Sequence, residues 1–215
     1  MGYLVSILVV LGVILVSMIL HELAHGFVAY LLGDNTAKDE GRLTLNPLKH
    51  LDPVLSVAMP LLLFLSGGPV FGGAKPVPVD SRKLKHGVWG MAMVALAGPL
   101  TNFVLAFLGF LLGYFTGAFS LGMYGSFYQE LMMNFVVINL GFGVFNLIPI
   151  PPLDGSRVLY ALAPDQVREV MKGMERWGIM VILILVVVFS SVISAIMSGA
   201  INGIWDFFCW MVGMR

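Results

Sequence analysis

Two histidines and a glutamate in the first apolar segment form the pattern His-Glu-x-x-His, at His21, Glu22 and His25. On a helix, positions i and i+4 share one face, so both imidazoles can bind a single metal ion. Glu22 lies beside them and can take a proton from a water molecule, whose pKa a zinc ion lowers to about 7. The pattern therefore predicts zinc-dependent hydrolysis.

The setting of the motif strengthens this prediction. Residues 3–32 are apolar except for Ser6, Ser17 and the three residues of the motif. Ionisable side chains inside a membrane segment are costly and usually functional. The alternative interpretation is a polar cluster that bridges helices without binding a metal.

Catalytic zinc usually has three protein ligands and one open position, so a third ligand must lie elsewhere. The candidate is Asp154, which follows Pro149, Pro151 and Pro152 and precedes Gly155. The prolines end a helix and force an irregular backbone there. The alternative is that Asp154 caps the helix that starts after it, because aspartate is a favoured N-cap.

The elements that position these residues belong to a membrane protein. The 215 residues are 59% apolar and only 11% charged, whereas soluble domains have about 45–50% and about 25%. The formal net charge is zero, and no basic stripe is present, so we expect no nucleic-acid partner. Composition thus predicts an all-α polytopic protein in the lipid bilayer.

Apolar runs predict about five to six transmembrane helices. A polar, partly helical surface segment is expected over 153–176. The last run is either a short span or an interfacial helix, because tryptophan favours the membrane boundary. The predicted spans are residues 3–32, 87–115, 131–149, 177–198 and 199–214.

Residues 53–80 predict a re-entrant hairpin. The apolar run 53–66 is about 21 Å long as a helix, too short to cross a hydrocarbon core of about 30 Å. Glycines and prolines exclude a helix over 67–80, and this stretch is long enough to return to its starting side. Because exposed backbone at membrane depth needs protein or a cavity beside it, this stretch should border a cavity.

Charge predicts the orientation. With the hairpin re-entrant and the last segment spanning, all twelve lysines and arginines fall on one side, and the loop 116–130 has none. By the positive-inside rule the charged side is the cytosol. The N-terminus is then outside, and the predicted active site lies toward the cytosol.

The sequence resembles the site-2 protease family of intramembrane zinc metalloproteases. The His-Glu-x-x-His motif matches that of the family, and so do two further signatures and a glycine- and proline-rich strand near residues 73–79. These signatures are Asn-x-x-Pro-x-x-Pro-Leu-Asp-Gly at residues 146–155 and Gly-Pro-x-x-Asn at residues 98–102.

The resemblance implies roles for the matching residues. His21, His25 and Asp154 would bind one zinc ion, and Glu22 would be the general base and later the proton donor. Two amides, Asn146 and Asn102, would sit near the metal and bind the oxyanion or the substrate backbone. The alternative for Asn102 is an interhelical hydrogen bond, and the pair Gly98-Pro99 could simply kink its helix.

The resemblance also implies a small membrane-associated β element, with substrate-strand candidates at Gly73, Lys75, Pro76 and Val77. An unwound transmembrane substrate exposes backbone groups in lipid, and pairing with a protein strand would satisfy them. The alternative role for this segment is a rigid wall around the metal cavity.

The leading functional prediction is a single protease domain over 1–215, with a catalytic core of about 1–160 and C-terminal helices of about 177–214. It resembles the minimal form of the family, which has neither a PDZ nor a CBS domain. We expect it in the plasma membrane of a prokaryote. Its substrates would be membrane-anchored, single-span regulatory proteins, and the sequence fixes no oligomeric state. The alternatives are an inactive metal-binding scaffold and, ranked last, a zinc transporter.

Overall fold

The computed structural model describes residues 3–53, 58, 73–120 and 125–214. Within these ranges the chain is helical and contains no β-strand, so the predicted helical class is confirmed and the β element is not found there. The helices are α1 (Tyr3–Leu31), α2 (Thr36–Asp39), α3 (Gly87–Phe115), α4 (Phe127–Asn146), α5 (Asp154–Leu162), α6 (Asp165–Glu175), α7 (Gly178–Val188) and α8 (Ser190–Met211).

Helix α3 is the centre of the assembly, because it packs against α1, α4 and α5. Its buried face is rich in glycine and alanine, which let neighbouring helices approach closely. A hydrophobic cluster joins it to α4 and α8 and contains Ala106, Phe110, Val136, Leu140 and Phe208. The helices that carry the candidate site residues are therefore held together by α3.

Three of the described helices are long and apolar enough to cross a membrane, namely α1 over Leu4–Leu31, α3 over Gly87–Phe115, and α8 over Ser190–Met211. Large apolar side chains such as Leu8 and Leu11 of α1 lie on the outer surface. Such a surface suits contact with lipid and not with water. The chain is therefore a helical membrane protein, and α3 has the bounds that the sequence predicts.

Other predicted bounds were wrong. The helix expected over 131–149 begins earlier, at Phe127, where Ser126 caps it by accepting a hydrogen bond from the Gln129 N–H. It ends at Asn146, just before the proline-rich stretch. The segments expected over 177–198 and 199–214 instead divide at Phe189. Three consecutive valines precede that break, and β-branched residues have weak helix propensity.

The predicted hairpin over 53–80 is only partly visible, because residues 54–57 and 59–72 lie outside the described residues. The described part, residues 73–80, is irregular and is tied down at its end by Asp34. That fully buried carboxylate accepts hydrogen bonds from the Asp80 N–H (2.6 Å) and from the Thr36 N–H (3.0 Å). Burial raises the pKa of Asp34, but these bonds and that of the Thr36 hydroxyl outweigh it and lower the pKa.

The start of the same segment is held by two buried residues, Arg42 and His50. The Arg42 guanidinium donates hydrogen bonds to the carbonyls of Lys75 (2.9 Å) and Pro76 (3.3 Å). The His50 carbonyl accepts a hydrogen bond from the Lys75 N–H at 2.8 Å. Residues 73–80, called the wall segment below, are therefore fixed against the end of α1 that carries the histidines.

Candidate metal centre

The two histidines of α1 point into the helix assembly. His21 and His25 are one turn apart on one face, and they are 7% and 8% exposed. Their rings meet edge to face, with centroids 4.6 Å apart. Their Nε2 atoms are 3.0 Å apart, so both imidazoles can reach a common ion.

Asp154 completes this group from the other end of the chain. Its Oδ2 lies 3.2 Å from Nε2 of His21 and 3.4 Å from Nε2 of His25. The N-cap of α5 is Leu153, and Asp154 is the first helical residue, so its carboxylate does not serve as the cap. The structure thus brings together the three residues that the sequence analysis selected as ligands.

Gly155 allows this approach of α5. A Cβ atom there would lie 2.2 Å from the Leu147 carbonyl oxygen, so a larger residue would push the start of α5 away from the loop after α4. Asp154 would move with it. A glycine is therefore required at this position for steric reasons.

The hydrogen bonds of the two rings fix which nitrogen carries the proton. Nδ1 of His25 is 2.8 Å from the Val94 carbonyl oxygen, which can only accept, so Nδ1 must donate. Nδ1 of His21 is 2.6 Å from Oδ1 of Asn102 and donates likewise. In the neutral rings both Nε2 atoms therefore present lone pairs to each other and to Asp154.

This arrangement fits a bound cation. Three acceptor atoms converge within 4.8 Å, and Oδ2 of Asp154 is buried without a hydrogen-bond donor among the described residues. Converging lone pairs repel unless a positive charge lies between them. Two imidazoles and a carboxylate are also a donor set that zinc accepts, and three ligands leave the open position of a catalytic site.

Glu22 faces the same cleft, which has a volume of about 440 Å³ and is lined by all three candidate ligands. One oxygen of its carboxylate, Oε2, accepts a hydrogen bond from the Val77 N–H at 2.7 Å. This bond orients the carboxylate and leaves Oε1 for another partner. The sequence motif places Glu22 beside the histidines, but the wall segment decides where its oxygens point.

The four substrate-strand candidates belong to the wall segment, and three of them, Gly73, Pro76 and Val77, line the cleft. The N–H groups of Lys75 and Val77 are already bonded within the chain, and Pro76 has no N–H to offer. A paired substrate strand would therefore have to displace Glu22 from Val77. These contacts favour the interpretation of the segment as a wall.

The two amides predicted beside the metal lie in different places. Asn146 lines the cleft, and its Nδ2 donates to the Phe142 carbonyl (3.0 Å), which leaves one amide hydrogen for a ligand. Asn102 is fully buried and is bonded to His21 on one side and to Asn139 on the other. In contrast to the prediction, Asn102 is therefore not in a position to contact a substrate directly.

Two further residues of the site were missed or misinterpreted from the sequence. For Gly98 the sequence left a helix kink as an alternative to its part in the family signature, yet a Cβ atom there would lie 2.5 Å from Cε1 of both His21 and His25. Arg157 lines the cleft one turn after Asp154, and its Nη1 donates to Oε2 of Glu175 at 3.2 Å. The i+3 spacing from Asp154 was the available signal for Arg157, whereas nothing local reveals the contact at Gly98.

Comparisons with known proteins agree with this chemistry. Residues 122–189 match the family model described as Peptidase family M50. The protein named "Putative zinc metalloprotease YwhC" of Bacillus subtilis is 43% identical over 177 residues, which are 81% of this chain and 78% of that protein. No solved structure matches this chain.

Two mycobacterial proteins named "Putative zinc metalloprotease Rip2" are also similar. That of Mycolicibacterium smegmatis is 35% identical over 185 residues, 85% of this chain and 68% of that protein. That of Mycobacterium tuberculosis is 30% identical over 179 residues, 80% of this chain and 63% of that protein.

Proposed function

This chain belongs to peptidase family M50, the site-2 protease family, and from that premise we propose that it is a zinc-dependent endopeptidase that cleaves membrane-anchored proteins within or beside a transmembrane segment. The observation that carries the proposal is the convergence of three lone pairs in a cleft that also contains Glu22. Metal binding alone has no need of a carboxylate base beside the ligands. The presence of Glu22 therefore favours turnover over a passive scaffold.

In this mechanism His21, His25 and Asp154 would hold the ion through Nε2, Nε2 and Oδ2. Zinc, when bound there, supplies Lewis acidity, which makes water a stronger nucleophile and polarises the scissile carbonyl. The chain itself contributes the geometry of the ligands. Two donated bonds, from Nδ1 of His21 and of His25, keep both rings in the tautomer that binds a metal.

Glu22 moves the proton. Its Oε1, the oxygen that does not contact Val77, takes a proton from the attacking water and later gives it to the leaving amine. The Val77 N–H holds Oε2 during both transfers, so the carboxylate keeps one orientation. Asn146, which lines the cleft, would donate its remaining amide hydrogen to the oxygen of the scissile carbonyl as charge develops there.

The burial of the candidate ligands supports an unwound substrate, because His21 and His25 are less than one-tenth exposed. The peptide groups of a transmembrane helix are already hydrogen-bonded within that helix. A transmembrane helix would therefore have to open locally before a peptide bond reaches the site. Apolar residues of the wall segment and of α3, such as Val77 and Ala95, line the space that would receive it.

The proposed location is the plasma membrane of a prokaryote, with the cleft toward the cytosol. The connections that follow α1 and α4 carry eleven of the twelve lysines and arginines, and residues 116–130 carry none. Under the positive-inside rule these connections face the cytosol. The proposed substrates are single-span regulatory proteins, and Arg157 at the cleft offers a charge to a polar group that flanks such a span.

The test compares two variants of the protein purified in detergent with bound zinc measured by metal analysis. Glu22→Gln should retain zinc and lose cleavage of single-span test substrates by at least about a hundredfold, the lower range for a general base. Asp154→Ala should weaken both zinc binding and cleavage. Equal cleavage by Glu22→Gln and the wild type would refute the proposal, and a wild type without zinc would do so independently.

A further inference from the structure

Two buried polar residues, Asn139 and Ser17, have no part in the mechanism above. Asn139 lies in α4 and Ser17 in α1, one turn before His21, and both are completely inaccessible to solvent. Burying an amide and a hydroxyl costs free energy unless both find hydrogen-bond partners. Their partners therefore show what these two residues do.

The partners form one continuous chain of hydrogen bonds that ends at a candidate ligand. Nδ2 of Asn139 donates to the Phe135 carbonyl (2.8 Å) and to Oγ of Ser17 (2.9 Å). Oδ1 of Asn139 accepts from Nδ2 of Asn102 at 2.9 Å. Oδ1 of Asn102 then lies 2.6 Å from Nδ1 of His21.

The Phe135 carbonyl fixes which group donates and which accepts in each of these hydrogen bonds. The Phe135 carbonyl can only accept, so the group of Asn139 that faces it must be the NH₂. The oxygen of Asn139 then faces Asn102, which must turn its own NH₂ toward Asn139 and its oxygen toward His21. A backbone carbonyl of α4 thus determines, through two amides, that His21 carries its proton on Nδ1.

We propose that Asn139, supported by Ser17, is a positioning residue that sets the tautomer and ring orientation of His21 for metal binding. The inference rests on the proposed function, because it concerns the ion that this function requires. Without Asn139 the Asn102 amide loses its acceptor and is free to turn over. An inverted Asn102 would present NH₂ to His21 and favour the proton on Nε2, the atom that must be free to bind the ion.

The competing interpretation is that Asn139 only ties α1, α3 and α4 together. Tertiary hydrogen bonds in a membrane bundle contribute to stability, so loss of stability alone does not separate the two roles. Metal affinity does separate them. Partners that orient a ligand typically change metal affinity by 10–100-fold when removed, whereas a packing contact leaves it unchanged.

The experiment measures zinc affinity by competition with a chromogenic chelator, using the full chain in detergent, and records the absorption spectrum with cobalt(II) in place of zinc. Asn139→Leu should weaken zinc binding at least about tenfold and alter the cobalt spectrum. The matched control is Asn134→Leu in the same helix, because among the residues that the structure describes the amide of Asn134 bonds only the Glu130 carbonyl (2.8 Å). Equal zinc affinity for Asn139→Leu and Asn134→Leu overturns the proposal.

A double-mutant cycle tests whether Asn139 acts through Asn102. In an Asn102→Ala background, Asn139→Leu should cause no further loss of zinc affinity, and an additive loss overturns the relay. Ser17→Ala should change affinity less than threefold, since the Phe135 carbonyl still orients Asn139. If Asn139→Leu does not fold, Asn139→Ser, a smaller side chain that removes the amide from Asn102 and Ser17, decides the same question.

Failure of this inference is distinct from failure of the proposed function. A wild-type protein that binds neither zinc nor cobalt(II) would refute both the proposed function and the role of Asn139. The role of Asn139 alone would be refuted if the wild type binds zinc and loses cleavage on Glu22→Gln, but Asn139→Leu leaves the zinc affinity unchanged.

Discussion

The variant Gly98→Ala should damage the metal site through a single methyl group. The new Cβ would lie 2.5 Å from Cε1 of His21 and 2.5 Å from Cε1 of His25, whereas ordinary contacts begin at 3.4 Å. The rings or α3 must therefore shift by roughly 0.9 Å, several times the ±0.2 Å that a metal–ligand distance tolerates. We expect zinc affinity to fall at least about tenfold, and stability to fall by about 1–3 kcal/mol from overpacking.

The matched control is Gly113→Ala, in the same helix but away from the site. Its Cβ would meet the ring of Phe119 at an equally short distance, so its effect on stability should be similar. Its effect on zinc affinity should be negligible, because the displaced residue, Phe119, lies in the loop after α3 and is not a candidate ligand. The assay pairs thermal unfolding of the metal-free protein with chelator competition for zinc. Equal zinc affinity in the two variants would refute the reasoning from this close approach.

Three further predictions concern the metal and the wall segment. Removal of the metal with a chelator should abolish cleavage and lower the unfolding temperature, and zinc at 100 times its Kd should restore about 2.7 kcal/mol; an unchanged temperature contradicts this. Arg42→Ala should speed cleavage of residues 73–80 by an added soluble protease relative to residues 165–175, because Arg42 no longer holds two carbonyls of the segment. The lowered pKa of Asp34 means that its stabilising effect is complete above its unfolded pKa of about 3.9 and is lost as pH falls through the lower folded value. Asp34→Asn should therefore lower the unfolding temperature at pH 6 more than at pH 3, and an equal decrease at both would count against this.

The ligand set could be predicted because it depends on short-range geometry. The i, i+4 spacing of His21 and His25 places both rings on one face of any helix, and the helix pattern of residues 3–32 is strong. The prolines before Asp154 mark the end of a helix whatever its surroundings. What the sequence left open was whether Asp154 would cap α5 or face the histidines, and a local pattern is compatible with both.

The C-terminal helices could not be divided correctly from hydropathy, because the whole stretch from 178 to 211 is apolar enough to read as continuous helix. Lipid and protein interior impose the same preference on side chains, so composition carries little information about where the chain bends. The break at Phe189 follows three valines, which have weak helix propensity, and beyond it α8 packs against the cluster around Phe110.

The sequence by itself determined the chemical class of this protein, since the residue types, the helical period and the apolar composition are properties of the chain alone. Only the tertiary structure decided how the site is oriented. The Val77 N–H orients the Glu22 carboxylate, and Gly98 leaves room for the two imidazoles. Asn139 accepts a hydrogen bond from Asn102, which is bonded to His21. Each of these contacts joins residues more than 35 positions apart in the sequence, except for the two imidazoles themselves. Hydrogen bonds and close contacts of this kind depend on which helices pack together, and no local pattern encodes that choice.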